Sequence, residues 1–361
     1  MAFFSPARAE HMASRIYDDV HAHLMLLMTQ RTQQAWSCSS FALAVNETTA
    51  YSGGNTSKVT EFLLVCFPEV QGWYLVVPLM LCLVVALVCN VALLIVICAE
   101  PRLHHPMYYF LAMLSFTDIL LCTVATPKTV AILVYEVKTI TTTACFTQMF
   151  FINLWSSMES SIFLVMAYDR YVAICCPLHY PSVVTNKLVL KAIVFIVARN
   201  FVVMLPLPLI SASLDYCSSL IPHCFCETMS VEKLACGSSS VGRIYNLVLF
   251  CIVGGSDLVF TILSYSAILR TVVKARSCTA AFKAFRICSS HLILICFFYC
   301  TIGTTIASSQ TLSGIPRHIH VLLALLHHLV PPVFNPIIYG VMTKEIREAT
   351  KRFLLKVKVH S

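Results

Sequence analysis

The chain has 361 residues, of which 58% are apolar and only 12% charged, with a mean hydropathy of +0.80. A soluble protein of this length could build ordinary cores, but it could not hide so much apolar surface behind so few charges. The formal net charge of +8 calls for no nucleic-acid partner, because the basic residues gather on one side of a series of apolar runs.

Residues 1–45 are mixed and polar, and the apolar patch at 24–28 is too short for a secretory core. The first membrane crossing is therefore expected to act as its own insertion signal. Asn46 and Asn55 each open a glycosylation triplet, with a flexible break at Ser52, Gly53 and Gly54 between them. Seven apolar runs follow, at residues 74–98, 107–134, 146–168, 188–210, 244–269, 288–307 and 319–339. Each is near or above the roughly 20 residues that cross about 30 Å of hydrocarbon as a helix. Inside lipid the backbone must satisfy its own hydrogen bonds, so runs of this length are helices. The expected architecture is an all-α, seven-transmembrane bundle over residues 73–341. A largely disordered, glycosylated extracellular segment (1–72) precedes it, and a short cytoplasmic amphipathic helix and tail (342–361) follow.

Charge sets the orientation. Arg270, Lys274, Arg276, Lys283 and Arg286 stand between the fifth and sixth runs, and Lys344, Arg347, Lys351, Arg352, Lys356 and Lys358 follow the seventh. The opposite connections mix Glu136 with Lys138, and Asp215, Glu227 and Glu232 with Lys233 and Arg243. Positive-inside bias puts the C-terminus in the cytoplasm and, after seven crossings, the N-terminus outside. A basic inner face also meets anionic lipid. Cys217, Cys224, Cys226 and Cys236 crowd the second outer connection, and Cys145 opens the third run at the same oxidising surface. The remaining cysteines lie mainly within apolar runs, where they pack as small hydrophobes. Their spacings give no metal site.

The third run ends in residues 166–180, MAYDRYVAICCPLHY. An Asp-Arg pair at a helix end can be a plain interfacial anchor. Here the whole stretch resembles the MAYDRYVAICxPLxY signature of olfactory receptors, within the rhodopsin-like class of G-protein-coupled receptors. The same family is matched by LHHPMYYFL at 103–111, LSFTD at 114–118, Ser264-Tyr265, KAFRICSSH at 283–291 and NPIIYG at 335–340. The resemblance covers residues 59–354. Phe150-Phe151-Ile152, Met158-Glu159-Ser160-Ser161, Ile221-Pro222-His223 and the stretch from Lys233 to Cys236 are similar to the fish-like, class I branch. Three departures stand out. Cys89-Asn90 replaces Gly-Asn, Arg286-Ile287 replaces Ser-Thr before Cys288, and Cys224 is an additional thiol left unpaired.

The resemblance implies a rhodopsin-like receptor, not an enzyme, that needs no cofactor and resides in the plasma membrane of olfactory cilia. Its partners would be a small volatile ligand, a heterotrimeric G protein of the stimulatory olfactory type that raises cAMP, the lipid bilayer and trafficking chaperones. Asp169 would neutralise Arg170 at rest, and Arg170 with Tyr171 would line the crevice opened when helix six moves. Asp118, Asn335, Tyr339 and Tyr265 would belong to the switching machinery, and Asn90 to the interior polar network. The family pairing joins Cys145 to Cys226 and Cys217 to Cys236, with Cys224 able to compete for Cys145.

Helical spacing from Cys145 places Met149, Ile152, Asn153, Ser156 and Ser157 on the inward upper face of the third helix, opposite Tyr299, Ile302 and Ile306 of the sixth. These residues describe an apolar chamber with hydroxyl, amide and phenol groups, suited to a small ligand with one polar handle. No Lys or Arg lies along the inner lengths of helices three or six, which argues against a deeply held carboxylate. His327-His328 reads as packing and interhelical hydrogen bonding, and the histidines form no HExxH set. A transporter or channel is the competing class, but no internal repeat and no row of pore-lining polar residues supports it.

Overall fold

The computed structural model describes residues 59–67, 73–237, 240–274, 278–310 and 317–360. Asn46 and Asn55 lie outside them. Among the described residues, seven helices are long and apolar enough to cross a membrane: α1 (Trp73–Ala99), α2 (Pro106–Tyr135), α3 (Thr142–Cys175), α4 (Asn186–Met204, continued beyond Leu205 by Pro206–Ala212), α5 (residues 240–274), α6 (Cys278–Gln310) and α7 (Arg317–Met342). A short helix, α8 (Lys344–His360), follows the seventh.

Short polar caps and prolines set the boundaries. Pro106 occupies the first turn of α2, where its missing N–H would have had no partner. The hydroxyl of Thr141 accepts from the Ala144 N–H, and that of Thr185 from the Leu188 N–H, both at 3.3 Å, so α3 and α4 begin there. Pro206 interrupts α4 by removing one helical donor. The run at 188–210 conceals that break, because proline inside an apolar stretch changes hydropathy little. A π-helical turn, Phe250–Gly255, widens α5 just ahead of Asp257.

α3 is the axis of the bundle. Its apolar window is 61% buried, against 22% for the corresponding windows of α4 and α5, whose remaining side chains face lipid. Proline also creates the tie between α1 and α7. Pro336 has no N–H to give the Pro332 carbonyl one turn earlier, and the Asn90 amide donates to that carbonyl at 2.7 Å instead. Asn90 is fully buried, so the bond replaces one that water cannot supply.

The outer end adds a feature absent from the all-helical expectation, a three-stranded sheet in the order β2-β1-β3. β1 (Glu61–Leu64) pairs antiparallel with β2 (Thr139–Thr141) and parallel with β3 (Leu220–Ile221). β1 lies within the segment expected to be largely disordered. Its side chains alternate, and Phe62 and Leu64 point inward, fully buried with Met149, Ile152 and Phe225. Cys145 bonds to Cys226 and Cys217 to Cys236. The expectation of an unpaired Cys224 is corrected: it bonds to Cys66, 158 residues away in sequence. The physical reason is the strand itself, since pairing of β1 with β3 brings Cys66 across the roof to the loop that follows β3.

Candidate functional site

Three polar layers run down the otherwise apolar bundle. In the outer layer Met149 and Ile152 are buried beneath the roof, in one apolar cluster with Phe62, Leu64, Phe225 and Leu325. The Asn153 amide donates to the Thr228 hydroxyl at 3.1 Å and to the Met149 carbonyl at 2.8 Å. Gln148, overlooked in the sequence, accepts from the Cys226 N–H at 3.1 Å and so sets the loop over α3. The Ser156 hydroxyl lies 3.5 Å from Nε2 of His327, whose Nδ1 lies 3.0 Å from the Thr301 hydroxyl. His327 therefore links α3 to α6 through α7. Ser157 donates to the Leu154 carbonyl of its own helix. Tyr299 and Ile302 pack against a deeper cluster, not beside Met149 and Ile152. The seven predicted lining residues whose side chains are described thus divide into an outer and a deeper set. The side chain of Ile306 lies outside the described residues.

His223 is fully buried, and its Nδ1 accepts from the Cys224 N–H at 3.0 Å. Burial lowers its pKa from 6.5 to about 4. The unfolded chain therefore binds the extra proton first as pH falls, and the stability contributed by the neutral ring is lost between pH 6.5 and about 4. The whole loss should approach about 3 kcal/mol. Melting temperatures of purified receptor should fall between pH 7 and pH 5, and His223→Asn should flatten that slope. An unchanged slope would place the acid sensitivity elsewhere.

The middle layer is the most highly connected, and most of it went unnoticed in the sequence. Arg199 of α4 donates to Asp257 of α5 at 2.8 Å and to Ser161 of α3 at 3.2 Å. Ser160 and Ser161 donate to the other carboxylate oxygen at 3.3 and 3.0 Å. Asn200 donates to Ser161 at 3.1 Å. The Tyr299 hydroxyl of α6 meets Ser160 at 2.9 Å. Four helices are thereby joined around one carboxylate. The available signal was a lone Arg and a lone Asp near the centres of two apolar runs, since charges at that depth need each other.

At the same level, on another face of α3, the Asn335 amide donates to both oxygens of Asp118, at 3.0 and 3.2 Å. Glu159 is within hydrogen-bonding reach of Asp118, and both are buried. Two carboxyls so close cannot both stay charged without a positive partner. At the C-terminal end of α3 Arg170 lies 3.3 Å from Asp169, which also accepts from the Tyr180 hydroxyl at 2.7 Å. Burial and the neighbouring Asp169 push the Tyr180 phenol above its ordinary pKa, so it remains a donor. The Tyr265 hydroxyl and His291 Nδ1 are 2.6 Å apart. Tyr339 is fully buried and its hydroxyl has no hydrogen-bond partner among the described residues. Tyr171 is half-buried beside Tyr168.

The buried polar contacts tie α3 to α4, α5, α6 and α7. The sequence profile of the olfactory receptor family matches residues 79–357. Human olfactory receptor 56A4 is 44% identical over 309 residues, covering 85% of this chain and 99% of that one. Human olfactory receptor 52N2 is 40% identical over 314 residues, covering 85% and 98%. Squid rhodopsin superposes with a TM-score of 0.67 over 81% of this chain and 88% of its own, at 16% identity, which establishes the shared fold. The chain belongs to the olfactory receptor family of G-protein-coupled receptors, in its class I-like branch.

Proposed function

We propose that this receptor binds a small, mainly apolar volatile ligand in the outer half of the bundle and responds by activating a stimulatory olfactory G protein, raising cAMP. The reading places the N-terminus outside the cell and the receptor in the cilia of olfactory neurons, delivered there with trafficking chaperones. The observation that carries it is the position of Tyr299. This residue of α6 sits at the lower edge of the proposed chamber and is bonded to Ser160, hence to the Asp257–Arg199 pair. A ligand that competes for Tyr299, or for the Thr301–His327 contact about half a turn further along α6, would loosen α6 from α3. It would shift the equilibrium only by its differential affinity for the two arrangements.

The chemistry of the lining supports an apolar ligand with one polar handle. In the outer set Met149 and Ile152 supply apolar surface and Asn153 and Ser156 supply polar groups, with Ile302 and Tyr299 of the deeper set beneath them. At the other end, Arg170 and Tyr171 would meet the G protein once α6 has moved and Asp169 has released Arg170. The test is Arg170→Ala in cells that carry the olfactory G protein, stimulated with volatiles and read as cAMP. Agonist-driven cAMP should disappear while receptor remains at the surface. Undiminished signalling at equal surface expression would remove Arg170 from the coupling site, and ligand flux without nucleotide exchange would favour a transporter.

A further inference from the structure

Beneath the roof, α1, α2 and α7 enclose a cleft of about 180 Å³. Ala125, Thr126 and Thr129 line it from one face of α2, and Leu325, His328 and Leu329 from one face of α7. Leu79 closes it from α1, directly after Pro78. Pro78 has no N–H to give its helix, which makes that wall the easiest to displace. The cleft does not admit a water molecule, so its polar atoms must find partners in the protein.

Each of α2 and α7 brings one polar side chain that is satisfied and one that is not. Thr129 donates to the Ala125 carbonyl at 3.2 Å and, more weakly, to the Cys224 carbonyl of the roof at 3.4 Å. Thr126 is only 2% exposed, yet its hydroxyl has no hydrogen-bond partner among the described residues. A buried helical threonine ordinarily donates to the carbonyl one turn earlier; Thr117 and Thr129 do so, and Thr126 does not. On α7 the ring of His327 meets Ser156 and Thr301. The neighbouring His328 packs edge to face with Phe225 at 5.2 Å, and its buried Nδ1 has no partner among the described residues. Two unpaired polar atoms in one dry cleft are costly, and a guest that satisfies both recovers that cost.

We propose that this cleft is a second ligand site, separate from the chamber beside α3 and α6, for a small neutral aliphatic molecule ending in a hydroxyl. With the His328 proton on Nε2, a single hydroxyl accepts from Thr126 and donates to Nδ1 at once. The leucines and Ala125 take the chain. No lysine, arginine, aspartate or glutamate is among the described residues that line the cleft, so a carboxylate or an ammonium would be buried there without a counter-ion. The guest enters by displacing α1 at Leu79. The His327 and His328 rings are 4.8 Å apart, so an occupant also bears on the link from α3 to α6. The site stands apart from the odorant reading, since occupancy is measured without any signalling.

Receptor in lipid nanodiscs, irradiated with a diazirine-bearing hexanol and mapped by peptide mass spectrometry, should be labelled on the α2 and α7 residues of the cleft. Excess 1-hexanol should protect them. Its isomer 1-methoxypentane, which has no donor, should protect them about fivefold less well, the worth of one hydrogen bond. Thr126→Val with His328→Leu should lower cleft labelling on the order of 25-fold. Ser156→Ala, in the chamber, should leave cleft labelling unchanged whether or not the chamber takes odorants, which separates failure of this site from failure of that one. Labelling confined to the chamber or to lipid-facing residues would overturn the assignment. So would wild-type labelling of the double variant, or equal protection by alcohol and ether. Should the double variant fail to fold, the nearly isosteric Thr126→Val alone should lower labelling about fivefold, and an unchanged level overturns the assignment.

Discussion

Asp257→Ala should abolish surface delivery or lower the receptor's stability by about 3–5 kcal/mol, the range for removing one partner of a buried ion pair. The Arg199 side chain is only 15% exposed, and most of its charge is satisfied by Asp257 at 2.8 Å. Without the carboxylate, the guanidinium faces Ser161 and Ser256, which are dipoles and not charges. Ser160 and Ser161 also lose their acceptor. Removing both charges should be far milder, because two apolar residues bury well where one unpaired charge does not. Arg199→Leu with Asp257→Leu should therefore regain surface expression. If the network also transmits the switch, that double variant should reach the surface yet respond weakly, since Tyr299 keeps Ser160 but loses what Ser160 was anchored to. Surface labelling, melting temperature and cAMP dose–response curves read the three effects separately. A fully responsive double variant would reduce the network to packing, and a stable Asp257→Ala would show that Arg199 finds another partner.

The second large effect is expected at the roof. Cys66→Ser should lower stability by about 2–4 kcal/mol, because the bridge restrains a long loop in the unfolded chain and pins β1 in the folded one. The change also frees Cys224, which is two residues from Cys226 and competes with it for Cys145. The single variant should thus be delivered less well than Cys66→Ser with Cys224→Ser, which loses the same bridge but cannot mispair. Non-reducing peptide mapping of the single variant should recover a fraction of Cys145 linked to Cys224. Equal delivery of both variants at wild-type level would mean that hydrogen bonds between β1 and its neighbours hold the strand unaided.

The two sites differ in how far local sequence exposes them. Seven crossings were legible because hydropathy depends on composition over about 20 residues, and lipid permits one backbone solution at that length. The Asp169-Arg170 end of α3 and the Asn335-Pro336 stretch of α7 were legible because their residues are contiguous. Ser160 was visible only as a branch marker, and Arg199 and Asp257 not at all, because the meaning of each depends on a helix elsewhere in the chain. Met149 and Tyr299 shared one predicted chamber because helical spacing gives the face of a residue and not its depth. Packing set Tyr299 against the deeper cluster.

Sequence alone therefore determined the membrane class, the number of crossings and, through its motifs, the family. Each of these rests on local composition or on short contiguous patterns that hold in any packing. Tertiary structure decided the partner of Cys224, the Arg199–Asp257 pair and the bond from Asn90 to the Pro332 carbonyl. Those contacts join residues far apart in the chain, and only the packed helices bring them within bonding distance.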